Sequence, residues 1–238
     1  MVRTEKRTVK IPDGTSMGAF MASPDGVGPY PGIIVCHEAF GVNAHIREVT
    51  SRFAAAGYVA MAPDFYHRSV SGFETGYSSS DLERGREQMA KMSDLGLEAD
   101  LSAIYDVLNH LPQVAEGKIG SIGFCMGGRI SFFANALLPI QGAVSFYGSR
   151  IAPGYLSFVE RMRAPILMFW GGKDKNIPPE QTRTIVEALR ASGKTFENME
   201  FSDAEHGFFC DARSTYHRGA AQQAWRLTLE FLKTVFEN

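Results

Sequence analysis

Cys125 stands between Gly123 and Gly127 in the stretch KIGSIGFCMGGRISFF, where an apolar run gives way to residues at helical spacing. A cysteine buried in a glycine-rich turn, with the glycines serving close packing, is the plain reading. A nucleophile at a tight strand-to-helix turn explains the pattern better. Its backbone is strained, and the residues two places away on either side must lack a Cβ to avoid collision. The helix that follows would turn its positive end toward a thiolate, and the Met126 amide would point at an oxyanion. A sulfur nucleophile needs a base, and the base needs a carboxylate to fix its tautomer. Asp174 follows the apolar run APILMFWGG, and His206 lies in DAEHGFF, ahead of a last helical segment. Taken singly, Asp174 could cap a loop and His206 could be an ordinary surface or core histidine. Taken together in the order Cys, Asp, His, the three describe acyl transfer through sulfur. His67, His110 and His217 read as structural or solvated, and the spacing of His45 suits an exposed helix face.

Such a triad has to be carried by strands that end at one rim. TVKIP and GAFMAS are candidate strands joined by a turn at Asp13 and Gly14. IIVCHE is an unbroken apolar run, as expected for a strand covered on both faces. NAHIREVTSRFAAAG has apolar residues at helical spacing, Asn43 as N-cap and Gly57 as stop. YVAMAPDF reads as a strand, and residues 81–111 as one or two helices with Gly85 and Gly96 clouding their boundaries. KIGSIGF, GAVSFYG, APILMFWGGKD and the weaker TFENMEF read as further strands. Helices are expected over GGRISFFANALL, over PEQTRTIVEALRASG with Pro179 near its start and Gly193 at its end, and over 218–236. The last has Ala221, Trp225, Leu232 and Phe236 on one face. This alternation predicts an α/β fold with a mostly parallel sheet and helices on both faces, and no linker divides it, so a single domain over 1–238 is expected. Ligands bind such sheets beyond the carboxyl ends of the strands, which is where Cys125, Asp174 and His206 fall.

Composition narrows the function classes. With 24 basic and 26 acidic side chains the formal charge is -2, and no Lys/Arg block suggests a nucleic-acid partner. The N-terminal stretch MVRTEKRTVKIPDG lacks the apolar core of a secretory signal, and no run approaches a membrane span. Three widely spaced cysteines, Cys36, Cys125 and Cys210, form no CxxC pair and argue against a disulfide framework or zinc site. The expectation is a cytoplasmic protein without metal or organic cofactor, acting on a small molecule.

At this point the sequence resembles the dienelactone hydrolase family of α/β-hydrolases. HEAFGVNAHIRE, APDFYHR, GFCMGGR, SFYG, GGKD and HGFFCDAR carry the resemblance, in order and over nearly the whole chain. It implies an eight-stranded α/β-hydrolase sheet with an antiparallel N-terminal strand, a triad of Cys125, His206 and Asp174, and hydrolysis of an ester or enol-lactone through a thioester. Glu38 in HEAFG matches the family's active-site glutamate, which helps generate the thiolate when substrate arrives; a carboxylate salt-bridged at the sheet edge is the alternative. The Ala39 amide becomes the natural second oxyanion donor beside Met126. Arg86 matches the first of two arginines that hold a substrate carboxylate in well-studied members, so the substrate is expected to be anionic. The second arginine position is Cys210 here, and Arg213 lies three residues further on. Aromatic positions that follow the first arginine there are Ala90 and Ser93 here, which predicts a different pocket. Tyr147, at the end of SFYG, reads equally as pocket lining or as packing.

Two other classes remain in view. A ligand-binding protein can reuse a hydrolase pocket without turnover, because fold does not fix function; an intact triad plus Glu38 weighs against it. A thiol redox protein would need a resolving cysteine, and neither Cys36 nor Cys210 is spaced as one.

Overall fold

The alternating runs become strands and helices in the computed structural model, which describes residues 1–237. The strands are β1 (Val2–Lys10), β2 (Ser16–Pro24), β3 (Tyr30–Cys36), β4 (Val59–Pro63), β5 (Val114–Phe124), β6 (Gly142–Phe146), β7 (Ile166–Gly171) and β8 (Phe196–Phe201). The helices are α1 (Ala44–Ala55), α2 (Ser79–Lys91), α3 (Asp94–Asn109), α4 (Met126–Leu137), α5 (Pro179–Ala191) and α6 (Arg218–Glu237). A 3-10 helix over Leu156–Arg161 was not expected from the sequence. The eight strands form one sheet in the order β1-β2-β4-β3-β5-β6-β7-β8. β2 runs antiparallel to β1 and β4, whereas β3 with β4, β6 with β7 and β7 with β8 are parallel. The chain divides into two compact units, Met1–Gly120 and Ser121–Asn238, and β5 runs through the boundary.

In the first unit, β3 and β4 are buried along the runs Ile33–Cys36 and Val59–Pro63, as two-sided cover requires. Asn43 caps α1 by accepting the Ile46 amide through Oδ1 at 3.3 Å, and Gly57 leaves the helix with φ +95°. The buried face of α1 comprises His45, Ile46, Val49, Thr50, Phe53 and Ala54. His45 is therefore inside, not on an exposed face. The apolar stripe is two residues wide, and spacing from Ile46 alone misses its neighbour. Gly85 does not break α2 but lets the helix approach another chain segment, since a Cβ there would lie 2.5 Å from the Ala39 carbonyl oxygen. The break between α2 and α3 falls at Met92–Ser93, where Ser93 caps α3 by accepting from Gly96 N. His67 is structural: its Nε2 meets Asp100 Oδ1 at 3.0 Å, and Arg68 donates to Asp100 Oδ2 at 2.7 Å.

In the second unit β6 and β7 are buried throughout. α6 lies on the start of β6, where a Cβ on Gly142 would meet Val235 Cγ2 at 2.9 Å and Phe231 Cε1 at 3.2 Å. Its buried face holds Ala221, Leu232 and Phe236 as expected, but Ala224 replaces the half-buried Trp225 at its centre. Pro179 opens α5, and Gly193 follows it with φ +62°.

Candidate active site

The nucleophile turn is built as the Gly123 half of the glycine pattern demands. β5 ends at Phe124, Cys125 takes φ 55° and ψ -114°, and α4 begins at Met126. A β-carbon on Gly123 would stand 1.8 Å from the Gly127 carbonyl oxygen and 2.8 Å from the Gly128 nitrogen. Gly128 is needed as well, because a Cβ there would lie 2.7 Å from the Phe146 carbonyl oxygen. Cys125 donates its amide to Phe146 O at 3.0 Å and receives Gly128 N at 3.0 Å and Ser149 N at 3.2 Å on its own carbonyl. The turn is thus held from both sides in a conformation costing about 1–3 kcal/mol. Replacing Gly123 with alanine should cost about 3 kcal/mol or more, because the obstruction is backbone and no rotamer relieves it. A urea-unfolding midpoint equal to wild type would contradict that.

Asp174 and His206 arrive on two loops pressed together. Gly171 and Gly172 end and follow β7. A Cβ on Gly171 would lie 2.6 Å from Ala204 O, and one on Gly172 would lie 2.7 Å from Ser202 Cα. Across this contact Gly172 N donates to Phe201 O at 2.8 Å and Lys173 N to Ala204 O at 2.9 Å. Asp174 Oδ1 accepts the Asn176 and Ile177 amides at 2.8 and 3.2 Å, which leaves Oδ2 for His206 Nδ1 at 2.6 Å. Nδ1 carries the hydrogen in that bond, which leaves Nε2 as the ring's other nitrogen, and the Cys125 sulfur is near enough to act on the ring's charge. Both Asp174 and His206 are buried, and Cys125 is half-buried.

Charge follows geometry. Burial alone would push the His206 pKa down. The negative charge of the Cys125 sulfur, the bonds to Asp174 and Cys125, and the Asp174 charge outweigh it and raise the value from 6.5 to about 10. While the Cys125 sulfur is ionised, the imidazole should therefore stay protonated at pH 8, where an ordinary histidine is neutral. In Cys125→Ala the strongest raising charge is gone, so the midpoint should move back toward 6.5. Ring nitrogen shifts of His206 followed by NMR test this; an unmoved midpoint would mean the sulfur is not the anionic partner.

Tyr147 is fully buried with φ 38°, and its ring centroid lies 5.0 Å from that of His206 and 5.2 Å from that of Phe208. It packs against the ring of the base at a tilt of 59°. Ser149, which no sequence pattern marks, also stands at the nucleophile: its Oγ lies 3.9 Å from Cys125 Sγ. It belongs to a short loop after β6 with no periodicity to mark it, and only its place just beyond SFYG hinted at it. Cys210 is buried, and the Arg213 guanidinium lies against Gly207, within 2.2 Å of where a Cβ would stand at φ +81°. Arg213 is thus one residue from the base. In the first unit, Glu38 and Ala39 follow β3 and are buried, at 1% and 2% exposure. Arg86 is exposed on α2, and among the described residues it makes no hydrogen bond or ion pair. Among those residues no helix is long and apolar enough to cross a membrane.

The strained cysteine between strand and helix, with an aspartate-bound histidine on later loops, defines the α/β-hydrolase class. The sequence profile of the dienelactone hydrolase family matches residues 17–236. Carboxymethylenebutenolidase of Pseudomonas putida is 34% identical over 233 residues, covering 96% of each chain. A relative from Synechocystis sp., provisionally named a carboxymethylenebutenolidase, is 37% identical over 234 residues and covers 95% of each. A crystal structure from Klebsiella pneumoniae, provisionally named a dienelactone hydrolase, superposes with a TM-score of 0.88 at 29% identity, covering 98% of this chain and 99% of that one. The chain belongs to the dienelactone hydrolase family and is a hydrolase.

Proposed function

We propose that the protein, working as one domain in a reducing cytoplasm, hydrolyses a small carboxylic ester or enol-lactone through a thioester on Cys125. The observation that carries this reading is the 2.6 Å bond from His206 Nδ1 to Asp174 Oδ2, together with a Cys125 sulfur, on a residue held at φ 55°, that acts on the charge of the same ring. The thiolate attacks the carbonyl carbon, and the carbonyl electron pair moves onto oxygen. The Ala39 and Met126 amides hold that oxyanion. As the oxyanion collapses, the C–O bond to the leaving group breaks and His206 returns a proton to the departing oxygen. Water then attacks the thioester, giving its proton to His206, and the acid leaves as the thiolate re-forms. Ser149 Oγ, beside the sulfur, is placed to donate to the thiolate.

Glu38 is proposed to gate thiolate formation, which would protect the sulfur from oxidation between turnovers. Its burial agrees with a functional carboxylate more than with one salt-bridged at a sheet edge. Arg86 is proposed to bind a substrate carboxylate, a role for which an exposed guanidinium with no partner among the described residues is available. Tyr147 acts by packing on His206, and any part in lining the pocket is secondary. The test is a panel of cis- and trans-dienelactones beside neutral p-nitrophenyl esters, assayed with wild type and Arg86→Ala. The variant should lose at least about tenfold in kcat/KM on the acidic substrates and little on the neutral ones. Equal losses across the panel would remove the anionic-substrate assignment.

A further inference from the structure

His37 sits next to the proposed oxyanion donor, is fully buried, and has both ring nitrogens committed. Its Nδ1 lies 2.6 Å from the Glu38 carbonyl oxygen, which only accepts, so Nδ1 bears the hydrogen. Its Nε2 receives the Phe65 amide at 3.3 Å, so Nε2 is bare. These two partners define a single neutral tautomer. Burial favours the same state by pushing the ring's pKa below the ordinary histidine value, against the Glu38 carbonyl bond and the charges of Asp64 and Glu38. Phe65 and Tyr66 hold the ring in place, with centroids at 5.5 and 4.9 Å.

The Glu38 carbonyl and the Ala39 N–H belong to one peptide unit. In a planar trans peptide the C=O and N–H point in opposite directions, so fixing the oxygen aims the hydrogen. The peptide on the other side of Ala39 is fixed too, because Tyr66 Oη donates to Ala39 O at 3.2 Å. Among the described residues the Ala39 N–H itself makes no hydrogen bond, although Ala39 is only 2% exposed. A buried amide without a partner is rare in folded proteins and marks a place kept for a ligand oxygen.

We propose that His37 is a positioning residue: through Nδ1 it holds the Glu38–Ala39 peptide so that the Ala39 N–H faces the oxygen that becomes negative during acylation. The inference rests on the proposed use of Ala39 as an oxyanion donor. The side chain touches no reacting atom and acts through the peptide alone.

Two polar substitutions separate this role from general support of the fold. Asparagine places an amide donor where Nδ1 is, whereas glutamine reaches toward the Nε2 end. His37→Asn should therefore keep kcat within about threefold of wild type, and His37→Gln should lose about 10²-fold in kcat with KM little changed. A spectroscopic signature accompanies the loss. The thioester carbonyl stretch of the acyl-enzyme, trapped with a slow substrate, should rise in wavenumber in His37→Gln and stay put in His37→Asn, since a weaker oxyanion hole polarises the carbonyl less. Alkylation of Cys125 by iodoacetamide, which creates no oxyanion, should proceed at the same rate in all three proteins. The reverse order of the two variants, or alkylation slowed in step with turnover, would overturn the inference. If wild type forms no thioester, the proposed function falls and takes this with it. If wild type forms the thioester and His37→Gln matches it in rate and carbonyl frequency, only the role of His37 is lost.

Discussion

Cys125→Ala is expected to lower kcat on activated esters by about 10⁴-fold or more while leaving the protein folded. The loss is large because every later step depends on the sulfur: without it there is no thioester, and His206 has no thiol to deprotonate. Folding should survive because the turn is held by backbone groups. The Cys125 amide bonds to Phe146 O and its carbonyl receives Gly128 N and Ser149 N, and alanine keeps all three. The one added cost is a non-glycine residue at φ 55°, which wild type already bears. Rate measurement beside a thermal melt checks both halves. A folded variant retaining a tenth of the wild-type rate would sink the assignment of Cys125 as nucleophile.

Asp174→Asn should be nearly as severe, at about 10³- to 10⁴-fold in kcat, for a reason written in the hydrogen bonds. Oδ1 accepts two backbone amides, from Asn176 and Ile177, and Oδ2 faces His206 Nδ1. An asparagine in this place must keep its oxygen toward the two amides, so its NH2 group turns to the imidazole. His206 then has to accept at Nδ1, and its hydrogen moves to the nitrogen facing the sulfur. A base in that tautomer cannot take the thiol proton. The imidazolium also loses a negative partner, so the His206 pKa should fall from about 10. The loop bonds persist, so stability should change little compared with activity. The tautomer read from ring nitrogen shifts, together with kcat, decides the matter; full activity with the hydrogen on the far nitrogen would refute the general-base role of His206.

The elements that could be read from the sequence were those whose chemistry is local. Gly123 before Cys125 signals the nucleophile turn because the clash it avoids, with the Gly127 carbonyl, lies within one turn of chain. Asn43, Gly57, Pro179 and Gly193 mark helix ends for the same reason. What depends on distant partners was hidden. β1 begins at Val2, well before TVKIP, because Arg3 to Arg7 are exposed edge residues without alternation and only pairing with β2 makes them a strand. Gly85 looked like a helix breaker and is a contact point, since the Ala39 carbonyl that explains it lies far away in sequence. His45 needed the width of a buried face that periodicity does not report. For the site, chain order proposed Asp174 and His206, but their 2.6 Å bond, Ser149 beside the sulfur and the work of His37 needed coordinates.

The two glycines that end and follow β7, Gly171 and Gly172, have a consequence for engineering. Since the carboxylate loop and the imidazole loop are laced by main-chain bonds over a gap too narrow for any β-carbon, they form a prefabricated proton-handling cassette. Its alignment owes nothing to the identity of the attacking atom. A designer could exchange that atom, or reshape the cavity before it, without realigning the pair, although the charge on His206 would change with the atom. Inserting residues between Phe201 and His206 would break the lacing and cost far more than any change of equal size elsewhere on the rim.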